Sequence, residues 1–324
     1  MTDHGHAGEG LLEVEGLTIV LRHRHRPPAT IARDVSLRVN AGEIVGLIGE
    51  SGSGKTMTAK SLIGLLPDRM EVVSGHARFR GRDLLHGGDP ARVRGRDIAL
   101  IPQDALHALN PVKTIGWQVG EPLQVHGGLR QRRIATVVGD LLERVHIPDA
   151  RRRAVDYPHQ FSGGMQQRAL TAMALSMEPP LILADEPTTA LDVTIQAEII
   201  DLIGELRDAT GASFLFISHD LALVSSFCDR IYVMYAGEIV ESGTRDAIFS
   251  HTRHPYTRAL IGAAPRLAGN PERLPTIPGR IPQPHEEILG CRFRERCPEA
   301  GAACGEAPRL DTADGDHAFR CWYA

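Results

Sequence analysis

The chain has 324 residues, 42% hydrophobic and 23% charged, with a formal net charge of −4. That is ordinary globular composition, enough for one large domain or two modest ones. The acid excess argues against a nucleic-acid surface, and no apolar run approaches the ~18 residues that cross a bilayer. Residues 1–10 lack the apolar core of a signal peptide, and His4 and His6 there read as a flexible terminus rather than a metal site. The arginine clusters at residues 22–26, 92–96, 130–133 and 151–153 read mostly as solvated faces. One of them could touch lipid headgroups or a membrane subunit. No internal repeat is evident.

The first informative element is the apolar run Ile44-Val45-Gly46-Leu47-Ile48, which predicts a buried parallel strand. It runs into Gly49, Glu50, Ser51, Gly52, Ser53, Gly54, Lys55 and Thr56, a full match to G-x-x-x-x-G-K-[ST]. Glycines in such a loop let backbone N–H groups turn inward on phosphate oxygens, and the following helix adds its positive end. Lys55 supplies charge for the β- and γ-phosphates, and the Thr56 hydroxyl is a Mg²⁺ ligand. A helix is expected over residues 57–66, stopped by Pro67.

A second strand, Ile98-Ala99-Leu100-Ile101, leads to Gln103, placed to sense Mg²⁺ and water. From there to about Met177 the pattern is mostly helical, with one helix over residues 132–145. Within it, Phe161-Ser162-Gly163-Gly164-Met165 reads as a glycine-rich turn, with Ser162 as N-cap of a helix from Met165 onward. The next strand, Leu181-Ile182-Leu183-Ala184, ends in Asp185 and Glu186. Acids at the end of a buried strand are costly without a task. Asp185 would hold Mg²⁺ through water, and Glu186 would polarise the attacking water. Asp192 follows shortly. His219 ends the strand Phe214-Leu215-Phe216-Ile217, where an imidazole could contact the γ-phosphate. Strands alternating with helices predict an α/β fold with a parallel sheet, which binds ligands at the strands' C-terminal ends.

In this order and rough spacing, residues 10–265 resemble the ATP-binding cassette (ABC) ATPases. The closer likeness is to the nucleotide-binding subunits of bacterial dipeptide and oligopeptide importers. It is carried by residues 157–165, by 184–194, by His254-Pro255-Tyr256-Thr257 and by Thr276-Ile277-Pro278-Gly279. The last two segments lie outside the ATPase core and are expected to bear on the subfamily rather than on the chemistry. The resemblance implies a P-loop NTPase core, an ABC ATPase domain over residues 1–267 with a helical subdomain at about 104–177, and an appended module over 268–324. It also implies a head-to-tail dimer. In that dimer ATP lies between the phosphate loop of one chain and Ser162, Gly163 and Gly164 of the other, with Asp192 nearby. Hydrolysis then reopens the dimer and drives alternating access in attached membrane subunits.

The implied partners are two membrane-spanning permease subunits, a second ABC ATPase (identical or related, with a heterodimer favoured) and an extracytoplasmic substrate-binding protein. The implied place is the cytoplasmic face of the membrane, with residues 106–117 docking a permease helix. An ordinary connecting loop is the plainer reading of that segment. The implied function is ATP hydrolysis energising import of di- or oligopeptides. Two alternatives remain: an importer ATPase for another small solute such as nickel or glutathione, and a soluble ABC-type ATPase with a redox-sensing tail. Soluble members with tandem cores or long coiled coils do not match a chain with one phosphate loop and no sustained heptads. Three departures stand out. Met165 occupies a position often held by Gln. Ala105 follows Asp104 where proline is usual. Leu21 falls near the expected aromatic adenine platform, leaving His23, His25 or an arginine plane as substitutes.

From about Ala268 proline and glycine become frequent. This tail holds four of the five cysteines, Cys291, Cys297, Cys304 and Cys321. Disulfides are not expected if the chain is cytosolic, and zinc sites usually show paired C-x₂₋₄-C ligands. Four thiolates on an irregular segment suit a [4Fe–4S] cluster, and the family likeness extends to the tail. Zinc and free thiols remain open. Cys228 reads as a small buried hydrophobe.

Overall fold

The computed structural model describes residues 10–87, 89–189, 191–264, 276–314 and 316–324. His4, His6 and the expected boundary at Ala268 lie outside them. The chain divides into two compact units, Met1–Pro90 with Ile217–Ala324, and Ala91–Phe216. The described tail residues fall in the first.

In the first unit, β1 (Leu12–Leu21) pairs antiparallel with β2 (Ala29–Val39) on one side and β4 (Met70–Phe79) on the other, and β5 (Arg82–Asp83) extends the sheet. Leu12 and Val14 point inward, and so do Leu17 and Ile19. Strict alternation would turn Leu17 outward. A register shift between Val14 and Leu17, at Gly16 with φ 60°, absorbs the odd residue and keeps both pairs buried. The predicted strand at 44–48 is β3 (Ile44–Ile48), fully buried and parallel to β9 (Arg230–Tyr235). β10 (Glu238–Thr244) runs antiparallel to β9. The tail adds β12 (His317–Phe319) to β10 and β11 (Asp311–Asp314) to β12.

The helix after the phosphate loop is Lys55–Leu62, shorter than the 57–66 expected. Gly64, at φ 65°, stops it before Pro67. The Gly64 N–H donates to the Ser61 carbonyl and that of Leu65 to the Lys60 carbonyl, a left-handed glycine termination.

The second unit holds β6 (Ile98–Ile101) and β7 (Leu181–Asp185), both predicted and paired in parallel. Between them lie helices Ala105–Ala108, Ile115–Val125, Gln131–Arg144, Ala150–Arg153 and Gly163–Leu175. Gln131–Arg144, one residue off the expected span, buries Val138, Leu141 and Leu142 on one face. Helix Val193–Thr210 follows, and β8 (Ser213–Ser218) begins in this unit and ends in the first. Among the described residues no helix is long and apolar enough to cross a membrane.

A buried polar knot ties the C-terminal part of the first unit together. Glu241 has no exposed surface. It accepts from the N–H groups of Arg253 (2.7 Å) and His254 (3.1 Å) and lies 2.9 Å from His317 Nε2. Nδ1 of His254 accepts from the Tyr256 N–H at 3.1 Å and so N-caps helix Pro255–Ala263. Burial, with Arg258 adding to it, pushes the His254 imidazole down to about 3 from 6.5. Between those pH values the unfolded chain binds a proton that the folded chain refuses, so stability falls as acid is added through this window. The urea midpoint is expected to drop from pH ~6.5 downward. His254→Asn, which keeps a capping acceptor, should flatten that slope; an unchanged slope in the variant would assign it elsewhere.

Candidate active site

The phosphate-binding motif forms the turn between β3 and helix Lys55–Leu62. Its first glycine has no substitute. Gly49 has φ 155°, and a Cβ there would lie 2.0 Å from the Met234 carbonyl oxygen on β9. Gly54 has φ 104° and a Cβ would meet the Ile31 carbonyl at 2.6 Å. Lys55 is buried, and its ammonium donates to the carbonyls of Gly49 (2.8 Å) and Glu50 (3.1 Å). The Ser53 hydroxyl lies at 3.4 Å. The backbone thus holds the cation inside the loop, where it faces any phosphate the loop accepts. Thr56 is the second residue of the helix.

In the second unit, Asp185 ends β7 and is buried, and Glu186 is also buried. Glu186 adopts φ 47°, a left-handed conformation that costs a non-glycine residue about 1–3 kcal/mol and clusters at functional sites. Gln103 Nε2 donates to Glu186 Oε2 at 3.2 Å, and the Thr189 hydroxyl donates to the same oxygen at 2.9 Å. The fold therefore brings Gln103 and Glu186 together across 83 residues of sequence. The sequence assigns no role to Thr189; its place three residues past an acid is the only local signal.

Ser162 is exposed and N-caps helix Gly163–Leu175, its Oγ accepting from the Met165 N–H at 3.3 Å. Gly163 is exposed too, and shares a cavity of about 710 Å³ with Gln103, Gln167 and Thr189. Gly164 differs. It is buried, and a Cβ there would sit 2.8 Å from Ile195 Cγ2. Helix packing by itself accounts for that glycine. Asp192 N-caps helix Val193–Thr210, accepting from the Ile195 N–H at 3.0 Å. His219 is exposed at the end of β8 and lines a cavity of about 250 Å³ with Leu221, Leu260 and Ala263.

Comparison with known proteins agrees with this geometry. Residues 32–189 match the ABC transporter family and residues 240–304 the oligopeptide/dipeptide transporter C-terminal region. A peptide import ATP-binding protein of Brucella abortus is 46% identical over 313 residues, covering 96% of this chain and 94% of its own. The chain belongs to the ABC transporter ATPase family. A peptide ABC transporter ATP-binding protein of Sinorhizobium fredii is also 46% identical, over 89% of this chain and 88% of its own. Among solved structures, a dimeric ATP-binding cassette with ADP and Pi bound superposes with a TM-score of 0.64 at 26% identity, over 72% of this chain and 98% of that one. This ABC ATPase therefore has a P-loop NTPase core, binds ATP with Mg²⁺, and couples hydrolysis to transport with permease partners and a second ATPase.

The four tail cysteines line a single cavity together with His254, Phe293 and Trp322. Burial pushes the Cys291 thiol up to about 11, with the other three cysteines contributing. Among the described residues, the only three potential ligands whose donor atoms all lie within 4.8 Å of one another are His76, Asp83 and His86 at the surface. Tetrahedral zinc holds its sulfurs about 3.8 Å apart, so the cysteines are not spaced as a zinc site. Cys228 is buried, as expected of a small hydrophobe.

Two further contacts reach the phosphate loop from the segments that carry the subfamily likeness: 254–257 meets Glu50 directly, and 276–279 meets Arg296, which in turn meets Glu50. The Glu50 N–H donates to the Tyr256 hydroxyl at 2.9 Å. Arg296 donates to both carboxylate oxygens of Glu50, at 2.8 and 3.1 Å, while its other N–H groups bond the Tyr235 hydroxyl and the carbonyls of Ile277 and Pro278. These partners lie 206 and 246 residues from Glu50, and nothing local announces them.

The loop geometry separates two glycines. Gly52 has φ 83°, but a Cβ there would find nothing within 4 Å; Gly52→Ala should cost about 1–2 kcal/mol. Gly49→Ala adds a backbone collision and should cost more than ~3 kcal/mol. Urea unfolding of the two variants checks the order; equal losses would reject the close approach to Met234.

Proposed function

We propose that this ABC ATPase energises the uptake of di- or oligopeptides. The observation that carries this reading is the tail: the match to the oligopeptide/dipeptide transporter C-terminal region lies outside the ATPase core, and the likeness to peptide import ATPases runs through both parts. In this reading the loop from Gly49 to Thr56, with Glu50, Ser51, Gly52, Ser53 and Gly54 between, wraps the triphosphate. Lys55 neutralises the β- and γ-phosphates. Thr56 and Gln103 ligate Mg²⁺, and Asp185 reaches it through water. Glu186, oriented by Gln103 and Thr189, polarises the attacking water, and His219 contacts the γ-phosphate. Ser162, Gly163 and Gly164 of a second ATPase close over the nucleotide, with Asp192 at the seam. The positive end of helix Gly163–Leu175 supports that role.

The permeases, two in number in this proposal, dock their cytoplasmic helices on the second unit. A groove of about 600 Å³ there is lined by Trp117, Ile134 and Val155. Trp117 and Val155 are exposed apolar side chains, and Lys113 lies over the Trp117 ring. A substrate-binding protein on the far side delivers the peptide. In this proposal the chain works on the cytoplasmic face. A reconstituted transporter should show ATPase stimulation by its binding protein loaded with peptide. Stimulation only by nickel or glutathione would replace peptides with that cargo.

Glu186→Gln is expected to retain ATP binding, to slow hydrolysis by about 10²–10⁴-fold, and to accumulate an ATP-bound dimer on gel filtration. Lys55→Ala should weaken binding itself. Wild-type turnover in the Gln variant would remove Glu186 from the reaction.

Cys291, Cys297, Cys304 and Cys321 would together hold a [4Fe–4S] cluster. What supports this is the set of four thiols facing one another; the cavity they line is only about 10 Å³ and would have to open to admit the cluster. Such a cluster would cross-link a module with little apolar core. Anaerobically purified chain is expected to carry about four iron and four sulfide per chain, reduced by any single Cys→Ser change. Zinc at one per chain would settle against it.

A further inference from the structure

We propose that Arg296 is a positioning residue for the phosphate loop, holding the Glu50 carboxylate away from Lys55 and cancelling its charge beside the triphosphate. The inference rests on the ATP site above and adds a residue from the tail. Glu50 occupies a motif position that tolerates any side chain, and here it introduces an anion into a loop that binds anions. The structure surrounds that anion. All five N–H donors of the Arg296 guanidinium have acceptors: two are the oxygens of Glu50, and the others are Tyr235 Oη and the carbonyls of Ile277 and Pro278. The side chain is 5% exposed, and its guanidinium lies over the rings of Tyr235 and Phe293. Gly279, at φ 79°, leaves room for its aliphatic stem, since a Cβ there would lie 3.1 Å from Arg296 Cγ. On the backbone side, Tyr256 takes the Glu50 N–H.

Glu50 also touches Lys55, whose ammonium donates to the Glu50 carbonyl at 3.1 Å. A carboxylate released from Arg296 would be within a side chain's length of that ammonium. It would compete with the γ-phosphate for Lys55 and repel the nucleotide. The clamp thus acts on ATP affinity rather than on the chemical step. It also explains why segments 254–257 and 276–279 accompany this ATPase: one supplies Tyr256, and the other supplies carbonyls that saturate Arg296. Cys297 follows Arg296 directly, and Phe293 lines the cysteine cavity. The folded tail therefore delivers the guanidinium as part of one block.

The test is ATP titration of the purified full-length chain and its variants, with turnover measured at saturating ATP. Arg296→Met should weaken ATP binding about tenfold with turnover at saturation nearly unchanged. Glu50→Gln in the Met background should restore affinity to within about twofold of wild type, because the unpaired charge is gone. Added salt should narrow the gap between Arg296→Met and wild type. A general loss of fold cannot produce that rescue, and thermal unfolding of each variant reports it separately. Wild-type affinity in Arg296→Met, or a double variant as weak as the single one, would overturn the proposal. The wild-type titration by itself tests the ATP site, so the two readings fail separately.

Discussion

The phosphate loop passes so close to β9 that the hydrogen of Gly49 is all that fits before the Met234 carbonyl. Much else in the first unit follows from that approach. β3 must be buried and parallel to β9 to bring the loop there. The loop must then reverse through glycines before Lys55 can turn back on the carbonyls of Gly49 and Glu50. A lysine in that position is a cation held by backbone dipoles, pre-oriented for an anion and shielded from bulk water. What the loop offers a phosphate therefore starts from main-chain geometry, with Lys55 and the groups around Glu50 setting the charge beside it.

Buried carboxylates show how the rest of the molecule manages charge. Glu241 is fully enclosed and stabilised by two backbone N–H groups and His317; its task is to hold the chain entering helix Pro255–Ala263. Glu186 is also buried, yet its backbone is strained and its oxygen is held by two side chains, Gln103 and Thr189. Asp34, Asp149 and Glu178 share that left-handed backbone but are exposed, so among the described acids Glu186 combines it with burial. Glu50, only half-buried, is a different case, an acid made harmless at an anion site by a saturated arginine.

The tail changes meaning in this light. By composition it is an appendage, rich in proline and poor in periodicity. In the fold it provides two strands to the β10 edge, a cavity shared by four thiols, and the arginine that grips the phosphate loop. An irregular segment has little apolar surface to bury, so its position depends on specific polar contacts. The Arg296–Glu50 pair is among them, which links the placing of the tail to the state of the loop.

The sequence by itself determined the strands at 44–48 and 98–101, those at 181–184 and 214–217 to within a residue at each end, the phosphate loop, Ser162 as a helix cap, and the burial of Cys228. Each is a local property: an apolar run, a glycine spacing, a capping residue beside a helix. The left-handed glycine that ends the first helix is local as well, but Pro67 three residues on is the more conspicuous stop signal and hides it. What only the tertiary structure decided was which distant groups meet. Gln103 with Glu186, Ile195 against Gly164, and Tyr256 and Arg296 on Glu50 depend on chain segments up to 246 residues apart. Hydrogen bonds and steric exclusions act over a few ångströms of space, and one-dimensional spacing carries no record of which residues the fold will place within that range.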